Sequence, residues 1–353
     1  MYTGKIPEAV LKRSVLRKLH KGINAQCQEY YGTDCAYFAA GTESAYTSVC
    51  SVPGFGDCPG KLVLAAANNL YAGGARPAAL MIQAMLPEWY EETALQKDIE
   101  AIAVEAENYG MEILGGHTQV TSAVREAVYT VTGIGLYTGT DGCNAEAADR
   151  PETQEMRKTE TGLRRPLRPG DTLVLTKWIA LGGTAALALN YEDKLKGRYP
   201  FSLIDRAKEF EKLMSVAQEA RAINHFGTAA VHDLSQGGVF GALWEMAEHA
   251  GVGLEVDLKK IPVRQETVEI CEYFDVNPYE LYSAGSLLVG VEHGESLVRE
   301  LARCSIPAAV IGRVTEEKGR VILNGEDCRY LDRPKRDEWY RLTEKNSDMK
   351  SCP

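Results

Sequence analysis

The stretch VHDLSQGGVFGALWEMAEHAG, residues 231–251, passes from a strand end through a polar turn into a helix. Val239, Leu243, Met246, Ala247 and Ala250 recur at three- and four-residue steps and form one apolar stripe. Gly251 stands where a left-handed helix cap is wanted. The pair Gly237–Gly238 therefore opens the helix and does not interrupt it. Glycine weakens a helix interior, but at the N-terminus a missing side chain lets a ligand approach N–H groups carrying the positive end of the macrodipole. An anion fits there, phosphate above all. The other reading is a strand-to-helix turn that needs unusual backbone angles, and an isolated glycine pair does not choose between the two.

Outward from this stretch, strands and helices alternate. Upstream, the pattern predicts a helix over Pro7–His20, a short strand near CAYFAAG (35–41) and a helix from Lys61 to about Ala72. AALMIQAML (78–86) reads as a buried strand, 91–109 as a long helix closed by Gly110, MEILGG as a strand ending at Gly115–Gly116, and AVYTVTGIGLY (127–137) as another strand. After a polar stretch come strand TLVLTK, a helix around GGTAALALNY and a long helix from about Ser202 to His225. Beyond the opening stretch the pattern predicts strand GLEVD, helix RQETVEICEYF, strand SLLVGVE, helix GESLVRELARC, and strands AAVIGRV and RVILN. The chain reads as two α/β domains, 1–140 and 170–330, joined by a charged linker or lid over 141–169 and followed by a polar tail, 331–353.

With 353 residues, of which 45% are apolar, the chain is long enough for two cores. A net charge of −10 argues against a broad nucleic-acid or anionic-membrane surface. The N-terminal AVLKRSVLRKLH is broken by four basic residues and no later apolar run approaches a membrane span, so the expected location is cytoplasmic. The nine cysteines contain no C-x-x-C pair and read as reduced, mostly buried side chains. Cys352 lies in the polar end EKNSDMKSCP and reads as incidental or reactive.

The order of GKLVLAAANNLYAGGARP, GGHTQVT, DTLVLTK, GGTAALA, HDLSQGG and KIPVRQETVEICEYFDVNPYELYSAGSLLVGV resembles the superfamily of aminoimidazole ribonucleotide (AIR) synthase and the hydrogenase maturation factor HypE. Selenophosphate synthetase and thiamine-monophosphate kinase belong to it too. The likeness covers most of residues 4–325 and extends to GKIPEAVLKRSVL near the N-terminus, as in HypE and AIR synthase-related proteins. It implies a two-domain α/β (α+β) fold and a homodimer in which N-terminal sheets pair into a barrel. It also implies ATP with Mg²⁺, and phosphoryl transfer that turns a carbonyl or carboxamide oxygen into a leaving group.

That resemblance assigns expected roles. His232, Asp233, Gly237 and Gly238 become a wall of the nucleotide site, joined by Lys61, Asn68, Asn69, Gly115, Gly116, Thr118 and Lys177. His117 is a candidate for phosphate or metal contact or acid–base work, its alternative being structural. Relatives carry an Asn-Asp pair where this chain has Asn68–Asn69, and adjacent acidic residues where it has Glu43–Ser44. Glu43, Asp57 and Asn69 are the remaining metal candidates, with Glu43 also a catalytic candidate; an amide oxygen brings no charge to Mg²⁺. Asp57 beside Gly56 reads equally as a turn residue, and Lys177 as a strand terminus. Two hypotheses follow: an ATP-dependent enzyme with an unidentified small-molecule or protein acceptor, or a nucleotide-binding or dimeric scaffold that has lost catalysis. The chain ends Cys352-Pro353 without the residues that precede the carrier cysteine of HypE, which argues against that carrier chemistry.

Overall fold

The computed structural model describes residues 8–14, 34–39, 46–55, 59–137, 164–227 and 229–342. These fall into two units: one holds 34–137, and the other holds 8–14 together with 164–342.

The unit of residues 34–137 is a five-stranded sheet with two helices. Its elements are β1 (Ala36–Ala39), β2 (Tyr46–Phe55), α2 (Gly60–Ala72), β3 (Arg76–Leu86), α3 (Glu92–Asn108), β4 (Glu112–Val120) and β5 (Val128–Tyr137). The strand order is β1-β2-β5-β3-β4, with only β3 and β4 parallel. In α2, Val63, Ala66, Ala67 and Leu70 share one face and are fully buried against Leu80, Ala84 and Val131 of the sheet. Strand β3 alternates rather than being buried throughout: Leu80, Ile82, Ala84 and Leu86 point to the helices, while Met81 and Gln83 are exposed. Asp98 of α3 accepts hydrogen bonds from the Tyr90 hydroxyl and, at 2.6 Å, from Tyr129 Oη of β5, which ties helix to sheet.

Strand β4 does not end at Gly116. It runs on to Val120, because the glycine pair lies inside a close parallel pairing with β3. A Cβ on Gly116 would sit 1.7 Å from Ile82 O, so the position requires glycine for backbone approach.

In the other unit, helix α1 (Glu8–Ser14) accompanies β6 (Thr172–Thr176), α4 (Leu181–Asn190), α5 (Glu192–Lys196), α6 (Phe201–Lys208), α7 (Ala217–Phe226), β7 (Ala230–Asp233) and α8 (Gly238–Ala250). The chain continues with β8 (Gly253–Asp257), α9 (Gln265–Phe274), β9 (Leu287–Val291), α10 (Gly294–Arg303), β10 (Ala308–Thr315), β11 (Arg320–Asn324) and β12 (Asp327–Tyr330). Its seven-stranded sheet has the order β12-β11-β8-β10-β6-β9-β7, with β8 and β11 parallel. Among the described residues neither sheet closes into a barrel. Helix α8 packs Val239, Leu243, Met246 and Ala247 on Leu173, Leu254, Val256 and Leu288 of the sheet. A second core joins α4, α6 and α9 through Leu187, Leu203, Ile204 and Ile270.

Helix α1, expected to open the N-terminal domain, belongs instead with the C-terminal unit, where Lys12 Nζ lies 3.1 Å from Glu248 Oε1. The long helix expected over Ser202–His225 is broken. Helix α6 passes into a 3₁₀ turn, Glu209–Leu213, and α7 restarts at Ala217. The cause is Lys177, whose Nζ donates to Leu213 O and Ser215 O, both at 2.8 Å, and so takes carbonyls a continuous helix would use. Of the expected polar tail, residues up to 342 are folded: Trp339 and Leu342 pack into the core formed by α4, α6 and α9. Among the described residues no helix is long and apolar enough to cross a membrane.

Candidate functional site

Strand β7 delivers His232 and Asp233, 6% and 5% exposed, to the turn that starts α8. His232 Nε2 lies 3.3 Å from Glu245 Oε2, a carboxylate of α8 that is itself buried. A carboxylate within reach of one ring nitrogen fixes the orientation of the imidazole. The turn is held by Leu234 N donating to Ser286 O, Ser283 N to Ser235 O and Phe240 N to Tyr279 O.

Both glycines of the opening stretch have left-handed backbones, φ +88° at Gly237 and +62° at Gly238. A Cβ on Gly238 would lie 2.5 Å from Tyr279 O, whereas one on Gly237 would meet nothing closer than 3.6 Å. The turn geometry therefore accounts for the pair. The anion at this helix start comes from the chain itself: Gly237 N donates to Asp337 Oδ2 at 2.7 Å. The other oxygen of Asp337 accepts from Trp339 N at 2.8 Å, so one carboxylate caps two helix starts. Asp337 is 4% exposed, and burial pushes its carboxyl up to about 6 against the pull of these amides.

The remaining candidates sit on other elements. Lys61 is exposed in the first turn of α2, Asn68 is buried and Asn69 half-buried on the same helix. Gly115, Gly116, His117 and Thr118 lie on exposed β4, with His117 Nε2 3.3 Å from Gln119 Oε1. Lys177 is neither an exposed strand terminus nor a free cation. Besides Leu213 O and Ser215 O, its ammonium meets Glu219 Oε1 at 2.8 Å, which commits its three donors within the protein. Glu43, Asp57 and Cys352 lie outside the described residues. Of the four described free cysteines, Cys35 and Cys271 are buried and Cys304 and Cys328 exposed. Burial pushes the Cys271 thiol up to about 12, which makes it inert.

The sequence reading missed Asp337, Glu245 and Glu219. For Asp337 a signal exists: DEWYRL, residues 337–342, sets a capping Asp before a helical turn with Trp339 and Leu342 three apart.

Two folded units joined by a long connection, the C-terminal one with a glycine-opened helix after a short buried strand, define an α/β protein of AIR synthase type. The N-terminal domain of the AIR synthase related proteins matches residues 32–137, and their C-terminal domain matches residues 168–324. The chain belongs to this family. It is 28% identical over 293 residues to the carbamoyl dehydratase HypE of Rhodobacter capsulatus, a match covering 81% of this chain and 78% of that protein. Among solved structures, a HypE–HypF complex superposes with a TM-score of 0.69 at 19% identity, covering 92% of this chain and 100% of that one. HypE in complex with ATP superposes with a TM-score of 0.59 at 18% identity, covering 94% and 96%.

Proposed function

We propose that this chain binds ATP and activates an oxygen of its acceptor by phosphoryl transfer, as the carbamoyl dehydratase and the ATP-bound HypE among its relatives suggest. The observation that carries the reading is the start of α8, where the Gly237 amide holds an anionic oxygen at 2.7 Å beside buried His232 and Asp233. The β- and γ-phosphates present the same kind of oxygen, and the carboxyl end of a strand feeding a helix is where α/β sheets bind ligands. His232, oriented by Glu245, is the candidate to bear charge or move a proton there.

The fit to Mg²⁺ is poorer. Of the residues expected to hold it, only Asn69 is among those described, and its neutral amide oxygen can ligate Mg²⁺ but brings no charge to it. No step is therefore routed through the metal. That same Asn68–Asn69 pair favours a second reading, a nucleotide-binding protein of this fold whose transfer chemistry is lost.

Thermal shift with ATP, ADP and AMP, each with and without Mg²⁺, tests the reading. A ligand that binds only the folded state raises its stability, by about 2.7 kcal/mol at a hundredfold excess over Kd. ATP and ADP are expected to raise the melting temperature, with little dependence on Mg²⁺. An unchanged melting temperature with every nucleotide overturns ATP binding, and a shift without ATP turnover leaves the second reading standing.

A further inference from the structure

Strands β6 and β7 run in the same direction with β9 antiparallel between them, and Leu288 of β9 pairs with Leu175 on one side and His232 on the other. Two strand spacings, about 10 Å, therefore separate the ends of β6 and β7. The chain leaving β6 is delivered to the same end of the sheet as the His232–Gly237 turn. There Trp178 meets Arg264, the residue before α9, and Ile179 N donates to Pro262 O at 3.1 Å to join the two segments.

The guanidinium of Arg264 lies 4.6 Å from the centre of the Trp178 ring and 5.9 Å from that of buried Phe210. Contact with two rings holds the planar group in one orientation. Its Nε is buried and meets no hydrogen-bond partner among the described residues. Glu266 Oε2 stands 3.8 Å away, while Arg206 Nε holds the other oxygen of that carboxylate at 2.6 Å. Nε is the one nitrogen of Arg264 that is both buried and unsatisfied, so the terminal pair, which binds no described residue either, reaches solvent from a side chain 39% exposed. Other arginines of this unit spend that forked edge within the protein: Arg165 grips Asp171 with both terminal nitrogens, at 2.6 and 2.8 Å. Arg264 is fixed, and its fork is left unused.

A guanidinium fork recognises two coplanar oxygens, and the local charge selects among oxyanions. Arg206 and Arg264 against Glu266 leave one net positive charge, and Glu209, next to Phe210, is engaged by Lys212 at 2.9 Å. A carboxylate matches that single charge, whereas a phosphate dianion exceeds it.

We propose that Arg264, set by Trp178, is a specificity-determining residue that receives a carboxylate of the acceptor at the end of the sheet where Gly237 opens α8. The inference rests on the phosphoryl-transfer reading above and names the acceptor's class: a molecule held by its carboxylate while another of its oxygens is activated.

The indole N–H resonance of Trp178, assigned by its loss in Trp178→Phe, reports on the site in the full chain. Titration at constant ionic strength with benzoate, with benzamide and with phenyl phosphate tests the assignment. Benzoate is expected to shift this resonance saturably, benzamide to leave it in place, and phenyl phosphate to bind more weakly than benzoate. Arg264→Gln is expected to weaken benzoate binding at least about tenfold, the loss of one charged pair of hydrogen bonds. If that variant misfolds, Arg264→Lys, which keeps the charge but not the fork, is expected to show the same weakening. Unchanged benzoate affinity in the variants, or equal binding of benzamide, overturns the site, and tighter binding of phenyl phosphate overturns the carboxylate. Melting of the unmodified chain with ATP separates the two readings. An ATP shift without a benzoate response overturns Arg264 alone, and a benzoate response without an ATP shift overturns nucleotide binding while supporting the carboxylate site.

Discussion

Lys177 Nζ lies 2.8 Å from Glu219 Oε1, and both side chains are less than a tenth exposed. This ion pair sits where β6 ends in a left-handed residue, φ +50° at Lys177, and it pins the break between α6 and α7. Burial pulls the lysine below its usual range and the carboxylate opposes that pull. Removing one partner leaves a buried uncompensated charge. Lys177→Met and Glu219→Gln are each expected to cost about 3–5 kcal/mol in urea denaturation, with the double variant recovering much of the loss. Additive losses would sink the pairing.

The start of α8 separates two neighbouring glycines. Gly237→Ala is expected to cost about 1–2 kcal/mol, the penalty of a left-handed alanine with open space around it. Gly238→Ala meets two backbone carbonyls, and its cost is expected to exceed about 4 kcal/mol or to prevent folding. Equal melting temperatures for the two variants would contradict this ordering.

Asp337 makes stability depend on pH in a set direction. Its carboxyl is raised from 3.8 to about 6, chiefly by burial and further by Glu338, with the phenols of Tyr282 and Tyr340 near it. Between those values the folded state binds more protons than the unfolded one. Stability from this group is therefore full below about pH 4 and falls by roughly 3 kcal/mol as pH rises through 6. Urea midpoints measured from pH 4.5 to 7.5 are expected to show a falling contribution that Asp337→Asn abolishes. A variant with the same pH slope as the parent would refute it.

Met81 and Leu136 stand on the open face of the five-stranded sheet, 44% and 38% exposed, and the edge strand β4 leaves Leu114 and Val120 more than half exposed. An apolar face beside an unpaired edge suits an isologous partner, so a homodimer through this unit is expected. Light scattering of Met81→Glu with Leu136→Glu should give half the parent mass. A monomeric parent at micromolar concentration would rule the dimer out.

Much of the fold was legible because α2, α8 and α9 carry apolar residues at helical spacing and β5 and β9 are rich in β-branched, aromatic and aliphatic residues. The failures share a cause. The helix break at Leu213–Ser215 is made by Lys177, 36 residues upstream of Leu213, and β4 continues through Gly115–Gly116 because of the backbone of Ile82. Neither partner is visible in local pattern. The turn that starts α8 was legible in its glycines, but the groups that hold His232 and Gly237, Glu245 and Asp337, are 13 and 100 residues away from their partners.

Helix α1 has a consequence for synthesis. Lys12 meets Glu248 across 236 residues of sequence, so at ribosomal rates of about 5–20 residues per second its docking site emerges roughly 12–47 s after it does. Throughout that interval the unit of residues 34–137 can complete its own core, while an amphipathic segment outside it waits without a surface. A nascent chain of this protein therefore carries an early-made, late-used helix.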